Sequence, residues 1–459
     1  MLPQTGCAAF DRDFTVIFAL ATREVNTVQE LEEMLGKLYK AIFDVDLKTY
    51  DVKELQAEAA AIMRATFDLR IELRQRLADW ETRGIFSKNA DGLLRGVFRA
   101  SRYATDMLGE LAIGYDQMEQ GEKVYRAFTG PHNNTLTLPE YSADGQSVTF
   151  QSGDVLAVRG LLHNSAAIAR IGDTDSQFSH VAMIHVDDKG RQRVVEALIE
   201  EGATVSNLDY TLENGLARAV LYRHRDSDIA ARAADRMYDR IKASQSFGGK
   251  HIFYNFTMEL EDNTSLFCSQ VIREGFERAS GGLIKLPTHP TEFYNAPEDF
   301  ISRIGVTADV TFAPGDMELE TQFVPVAEWR DFRKTSRVRL MDLVMVKLFE
   351  WMERGYVFKP TAYIRLIGVG GKASGYLPNT FKNALAALIP KVPSNMAVST
   401  IEAIAMLHST AEPLYQKLHR LELQTIKETG RPLHPRDVYD YLDAFERDAK
   451  GKIGYLHLK

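Results

Sequence analysis

The spacing of apolar residues changes period twice along this chain, and that double switch limits the folds open to it. From Val25 to about Gln120, stretches such as LEEMLGKLYKAIF and ELQAEAAAIMRATFDLRIELRQRLADW repeat apolar residues at helical spacing among Ala, Leu, Glu, Lys and Arg. The pattern predicts a helical hairpin or bundle, with breaks at Gly84 and at Asn89-Ala90-Asp91-Gly92. After Tyr125, GPHNNTLTLPEYSADGQ gathers Gly, Pro, Asn and Ser, and the helical period stops, so a domain boundary is expected near residues 128–147. Short β-type runs follow: SVTF, DVLAVRG, SHVAMIHV, QRVVEAL and ARAVLYRH. Two helical stretches, SDIAARAADRMYDRIKAS and CSQVIREGFERAS, come with them. From about Glu328 the helical pattern returns, with interruptions expected at Gly368–Gly375 and Pro390–Pro393. The expected architecture is an α+β domain with an antiparallel sheet over residues 145–330, flanked by helical regions at 1–127 and 331–459.

Composition narrows the function. With 459 residues and 45% hydrophobic content the chain can bury a real core. A net charge of −8 gives no general attraction to phosphate backbones, so nucleic acid is not an expected partner. The two cysteines, Cys7 and Cys268, exclude a disulfide scaffold and fit a reducing compartment. No stretch reaches the roughly 20 apolar residues that cross a bilayer, and the N-terminus has no basic leader. The expectation is a protein that is cytoplasmic at synthesis, with transient membrane contact left open.

Cys268 lies in DNTSLFCSQVIREGFERA, where Asn263, Thr264 and Ser265 offer N-caps and Val271, Ile272, Phe276 and Ala279 recur at helical spacing. A thiol in the first turn of a helix meets unpaired N–H groups, which favour thiolate and can hold an oxyanion. In SHVAMIHV, strand alternation puts His180, Ala182, Ile184 and Val186 on one face. The chain then returns as QRVVEAL, with Val194, Glu196 and Leu198 on one face. A three-residue loop of 187–189 would set His180 directly opposite Glu196, whereas a register shifted by one would set Ala197 there and turn Glu196 away. An imidazole oriented by a carboxylate is what a general base for Cys268 requires.

The ordered set GDVLAV (Gly153 to Val158), SHVAMI (Ser179 to Ile184), VVEA (Val194 to Ala197), Tyr254 to Phe256 and LFCSQVI (Leu266 to Ile272) resembles the circularly permuted papain-like cysteine hydrolases of the NlpC/P60 superfamily, in their YiiX/YebB-like branch. Phe312 to Asp331 resembles that group's closing strand segment, so the resemblance covers about residues 148–330. It implies Cys268 as nucleophile, His180 as base and Glu196 as the group orienting the imidazole. Tyr254 and Ser269 would line the site or assist the oxyanion, and the Gly153-Asp154 pair would start the first strand, Asp154 holding a turn. Gln270 stands where the branch's Cys-Ser-Glu pattern has an acidic residue.

The resemblance implies a cysteine hydrolase working through an acyl-enzyme thioester, without cofactor. Amide bonds, as in peptidoglycan peptides, come first as substrate, and lipid acyl hydrolysis or transfer second. A lipid enzyme would show an apolar approach lined by Phe247, Phe253 and Phe256, and a peptide amidase a polar groove. The helical flanks could cover the cleft, deliver the enzyme to a partner, or serve an antibacterial effector met by a cognate inhibitor and exported without a cleaved leader. An inactive papain-like scaffold for protein interactions is the remaining alternative. Gly368-Val369-Gly370-Gly371-Lys372-Ala373 reads as loop punctuation rather than a nucleotide loop. No histidine pair has HExxH spacing, so no catalytic metal is expected. Arg330, Arg333, Lys334, Arg337 and Arg339 read as a solvated helix start.

Overall fold

The computed structural model describes residues 5–45, 47–114, 134–142, 147–173, 176–213, 215–293, 297–376 and 391–459. Four N-terminal helices come first: α1 (Ala8–Ala21), α2 (Val28–Phe43), α3 (Val52–Thr82) and α4 (Lys88–Ile113). Their starts are chemically marked, since Thr27, Asp51 and Ser87 each accept a hydrogen bond from a first-turn N–H. Leu31, Leu35, Leu38, Leu73, Leu77, Trp80, Leu94 and Val97 close their shared core. The break at Gly84 is present, but Asn89 to Gly92 lie inside α4 because Ser87 caps the helix just before them.

Strands β1 (Asn134–Thr137), β2 (Val155–Gly160), β3 (His180–Val186), β4 (Gln192–Leu198), β5 (Gly202–Asn207) and β6 (Leu216–His224) precede β7 (Thr291–Glu292), β8 (Val310–Thr311) and β9 (Phe323–Arg330). Seven of them form one antiparallel sheet in the order β1-β9-β6-β2-β3-β4-β5, while β7 and β8 pair separately. The domain is therefore α+β, as expected. The run SVTF is not a strand, and β1 joins the edge of the sheet from within the segment where a boundary was expected. Of that segment, residues 128–133 and 143–146 lie outside the described residues.

The helices between and after the strands are α5 (His163–Ile168), α6 (Leu208–Glu213), α7 (Ser227–Gln245), α8 (Cys268–Ala279), α9 (Glu298–Ile304), α10 (Phe332–Glu353), α11 (Ala362–Ser374), α12 (Val398–Thr429) and α13 (Pro435–Asp448). One face of the sheet (Val155, Val181, Met183, Val195) packs on Ala233 and Met237 of α7 and Val271, Ile272 and Phe276 of α8. The other face buries Leu156, Ala182, Ile184, Val194 and Trp329. Strands read from alternation therefore carry apolar residues on both faces, which explains their near-continuous hydrophobic runs.

The C-terminal core of Leu340, Val344, Leu348, Trp351, Met406 and Leu414 extends onto Ala166 and Ala167 of α5 and Phe300 of α9. A small sheet of β10 (Tyr356–Phe358), β11 (Lys452–Ile453) and β12 (Leu456–Leu458) closes this end. The glycines from 368 to 371 sit within α11, which stops at Gly375, so the expected interruption falls at the end of that stretch only. Thr361 caps α11, and Lys372 donates to the Met396 carbonyl at 2.7 Å, giving this glycine-bearing helix external support. Pro390 is outside the described residues.

Candidate active site

Cys268 is the first residue of α8, so the first-turn placement holds, but the expected caps do not. Asn263, Thr264 and Ser265 belong to the preceding turn, where Asp262 accepts from the Thr264 N–H at 2.8 Å and the Ser265 hydroxyl at 2.9 Å. The cap residue is Phe267, and its N–H is satisfied by Gln270 Oε1 at 3.3 Å. The Gln270 amide also donates to the carbonyls of Glu259, Leu260 and Asp262. A glutamate could accept the first bond but not donate the others. This gives a physical reason for the departure from the acidic pattern at 270.

The hairpin of β3 and β4 adopts neither expected register. Ile184 faces Val194 and Val186 faces Gln192, with a loop of 187–191 closed by Asp187 and Arg191. Arg191 supplies both a carbonyl acceptor and an ion pair to Asp187, which makes the longer loop self-sufficient. Continued to its end, this register puts His180 opposite Leu198 and diagonal to Glu196. Because the shift is an even number of residues, both side chains keep the same face. His180 Nε2 and Glu196 Oε2 meet at 2.8 Å, and Glu196 Oε1 accepts from the Ser206 hydroxyl at 2.6 Å.

Cys268 Sγ lies 3.8 Å from Ser269 Oγ, and the His180 imidazole and the Val181 N–H are close enough to act on the thiol. Burial alone would push His180 down, but bonding to Cys268 and Glu196 outweighs it and raises the imidazole to about 10. Burial would likewise raise Cys268, yet the bond to His180, its charge and the Val181 N–H bring the thiol below its ordinary value. The two shifts run in one sense, each favouring the charged form of its group in the presence of the other.

Tyr254 is buried next to the thiol, its hydroxyl held well above its ordinary value by burial and by the charges of Cys268 and Glu200. Its carbonyl is tied to the C-terminal region through Asn395 Nδ2 at 2.8 Å. Glu200, a further carboxylate near His180 and Glu196, is raised by burial. It was not singled out in the sequence because its position past the end of β4 breaks the strand alternation. Asp154 holds a turn, accepting from the Gln151 N–H at 2.8 Å and pairing with Arg223 at 2.7 Å. Gly153 has φ +85°, and a Cβ there would lie 2.3 Å from the Ala230 carbonyl oxygen.

Beside Cys268 opens a cavity with room for about 100 Å³, walled by Tyr254, Phe256, Phe267 and Phe312 and by Ile404 and Leu407 of α12. Asn164, Thr311 and Thr400 are the polar residues among its lining. Phe256 takes part as expected, whereas Phe247 and Phe253 are exposed and do not line it. No run of sequence signals this chamber, because its walls come from segments between residues 164 and 407.

Among the described residues no helix is long and apolar enough to cross a membrane. Residues 149–292 match the family of permuted papain-like amidase enzymes, YaeF/YiiX. The crystal structure titled metalloprotein YiiX from Escherichia coli aligns at a TM-score of 0.30 and 17% identity, over 38% of this chain and 96% of that one. No curated protein matches the chain. The matching family carries the YaeF/YiiX name rather than the broader NlpC/P60 label. The segment that holds His180 and Cys268 thus matches the permuted papain-like amidase family, YaeF/YiiX, over residues 149–292.

Proposed function

We propose that this protein is a cysteine-dependent acyl hydrolase that cleaves an amide or ester bond next to an apolar, fatty-acyl-like group. The observation that carries the reading is the position of Cys268: one residue is both the hydrogen-bond partner of His180 and part of the wall of an apolar cavity. The amidase family of the domain supports the bond type. The apolar lining moves the preference from a peptidoglycan peptide to a lipid acyl group, because a peptide backbone buried there would lack partners for its N–H and C=O groups.

In this mechanism the Cys268 thiolate attacks the acyl carbonyl carbon. The first N–H groups of α8, which have no intrahelical acceptor, hold the tetrahedral oxyanion. The His180 imidazolium then gives its proton to the departing amine or alcohol, leaving a thioester on Cys268. Water attacks that thioester as His180 takes its proton, and the acid leaves with the thiolate restored. Glu196 keeps the imidazole in place and favours its charged form. Tyr254 and Ser269 shape the surroundings of the sulfur, and the flanking regions, α12 above all, complete the acyl chamber.

A thiol-reactive probe read by intact mass across pH tests the pair. Fast labelling at neutral pH that is lost in Cys268→Ala and slowed in His180→Ala is expected. Labelling that rises only near the pKa of an ordinary thiol and ignores His180 would instead favour the inactive scaffold.

A further inference from the structure

Away from the thiol, His163 at the start of α5 faces His408 and Glu412 on α12. One ligand atom from each of the three lies within 4.8 Å of the other two. His408 and Glu412 are four residues apart on one helix, so they share a face. His163 Nε2 meets Glu412 Oε2 at 2.8 Å, and the His163 and His408 rings stand 5.3 Å apart at 65°. A tetrahedral ion with bonds of about 2.0–2.1 Å needs donors roughly 3.3 Å apart, a modest contraction from this arrangement.

Two further observations point to a ligand. Nδ1 of His163 and Nδ1 of His408 are both buried without a hydrogen-bond partner. Such orphaned nitrogens are uncommon in a folded protein. Glu412 is also oriented from behind, accepting from Gln416 Nε2 at 2.6 Å, in the manner of an outer-shell partner. Arg337 lies 3.7 Å from Glu412, and its charge opposes that of an ion and limits the affinity.

We propose that His163, His408 and Glu412 form a transition-metal site of the zinc class that fastens α12 to the papain-like domain. Two imidazoles and a carboxylate are the donor set such ions take, with water completing the shell. Two of the three ligands lie outside residues 149–292, and none of the three lines the cavity, so the site is separate from the thiol chemistry. The same two helices nevertheless supply Ala167, Ile168, Ile404 and Leu407 to the cavity wall. An ion here would fix that wall.

The test uses the full-length, tag-free protein stripped with chelator and dialysed against zinc, with bound metal read by mass spectrometry. One zinc per chain is expected in the wild type and in Cys268→Ala. His408→Gln and Glu412→Gln should each weaken binding at least tenfold, with circular dichroism confirming that they fold. Hydrogen exchange should show zinc protecting residues 398–412 in the wild type. Binding undiminished in both variants, binding lost in Cys268→Ala, or no zinc retained and no protection would each overturn the proposal.

Discussion

The chamber beside Cys268 and the seam that docks the helical regions on the sheet bury very different chemistry. At the chamber a short cluster of Cys268, His180 and Glu196, with His180 and Glu196 2.8 Å apart, stands against a wall of aromatic and aliphatic side chains. At the seam, charges are crowded together: Arg70, Arg102 and Arg330 converge on Glu328, Arg218 and Arg330 on Asp106, and Arg339 bridges Glu110 and Glu422. Nearly all these side chains are shut off from solvent. Burial would raise Glu328, but the guanidinium groups of Arg330, Arg70 and Arg102 hold it well below the carboxylate range.

The difference teaches what each charge is for. Seam charges compensate one another in a fixed geometry, so they specify how helices meet the sheet. The chamber cluster instead borders an apolar cavity and holds two groups whose pKa values move toward each other, the arrangement that the proposed chemistry would use.

Variants should separate the two. Cys268→Ala is expected to lower turnover by about 10⁴-fold or more while leaving the melting temperature nearly unchanged. Arg330→Met should do the reverse, destabilising the fold by about 3–5 kcal/mol because Glu328 and Asp106 lose a buried partner. Cysteine labelling per folded molecule should stay at the wild-type rate. A seam variant that abolished labelling without unfolding would break the separation.

A smaller effect sharpens the chamber side. Glu196→Gln should cut turnover about 10²–10³-fold. The active state needs Cys268 ionised and His180 protonated, so activity rises as pH passes the lowered thiol pKa and falls as pH passes about 10, where His180 loses its proton. Without the Glu196 charge, the basic limb should move down by about a unit. The smallest change is expected from Leu407→Phe, which narrows the cavity and should shorten the preferred acyl chain at unchanged thiol reactivity, as read by a chain-length series.

The site was more legible than its setting. Alternation around His180 and Glu196 was enough to put these two side chains on one face, because strand parity survives a register error of two residues, whereas the approach of Cys268 was implied by the family resemblance and not by spacing. Loop length was not legible, since the Asp187–Arg191 closure depends on side-chain bonds that a turn pattern does not encode. The basic run from Arg330 to Arg339 looked solvated because charge patterning does not record burial. Arg330 and Arg339 are instead seam residues whose acidic partners are as far away in sequence as Asp106 and Glu422. The cavity was hidden for the same reason of sequence distance.

The most direct measurement follows the thiol and the chamber together: a pulse of p-nitrophenyl acyl esters from acetyl to dodecanoyl, quenched and read by intact mass and by kcat/KM. Each buried methylene contributes about 0.8 kcal/mol, roughly fourfold per carbon at full burial. A thioester on Cys268 is expected that forms faster as the chain lengthens until the cavity is full. A rate indifferent to chain length, or an adduct on another residue, would contradict it.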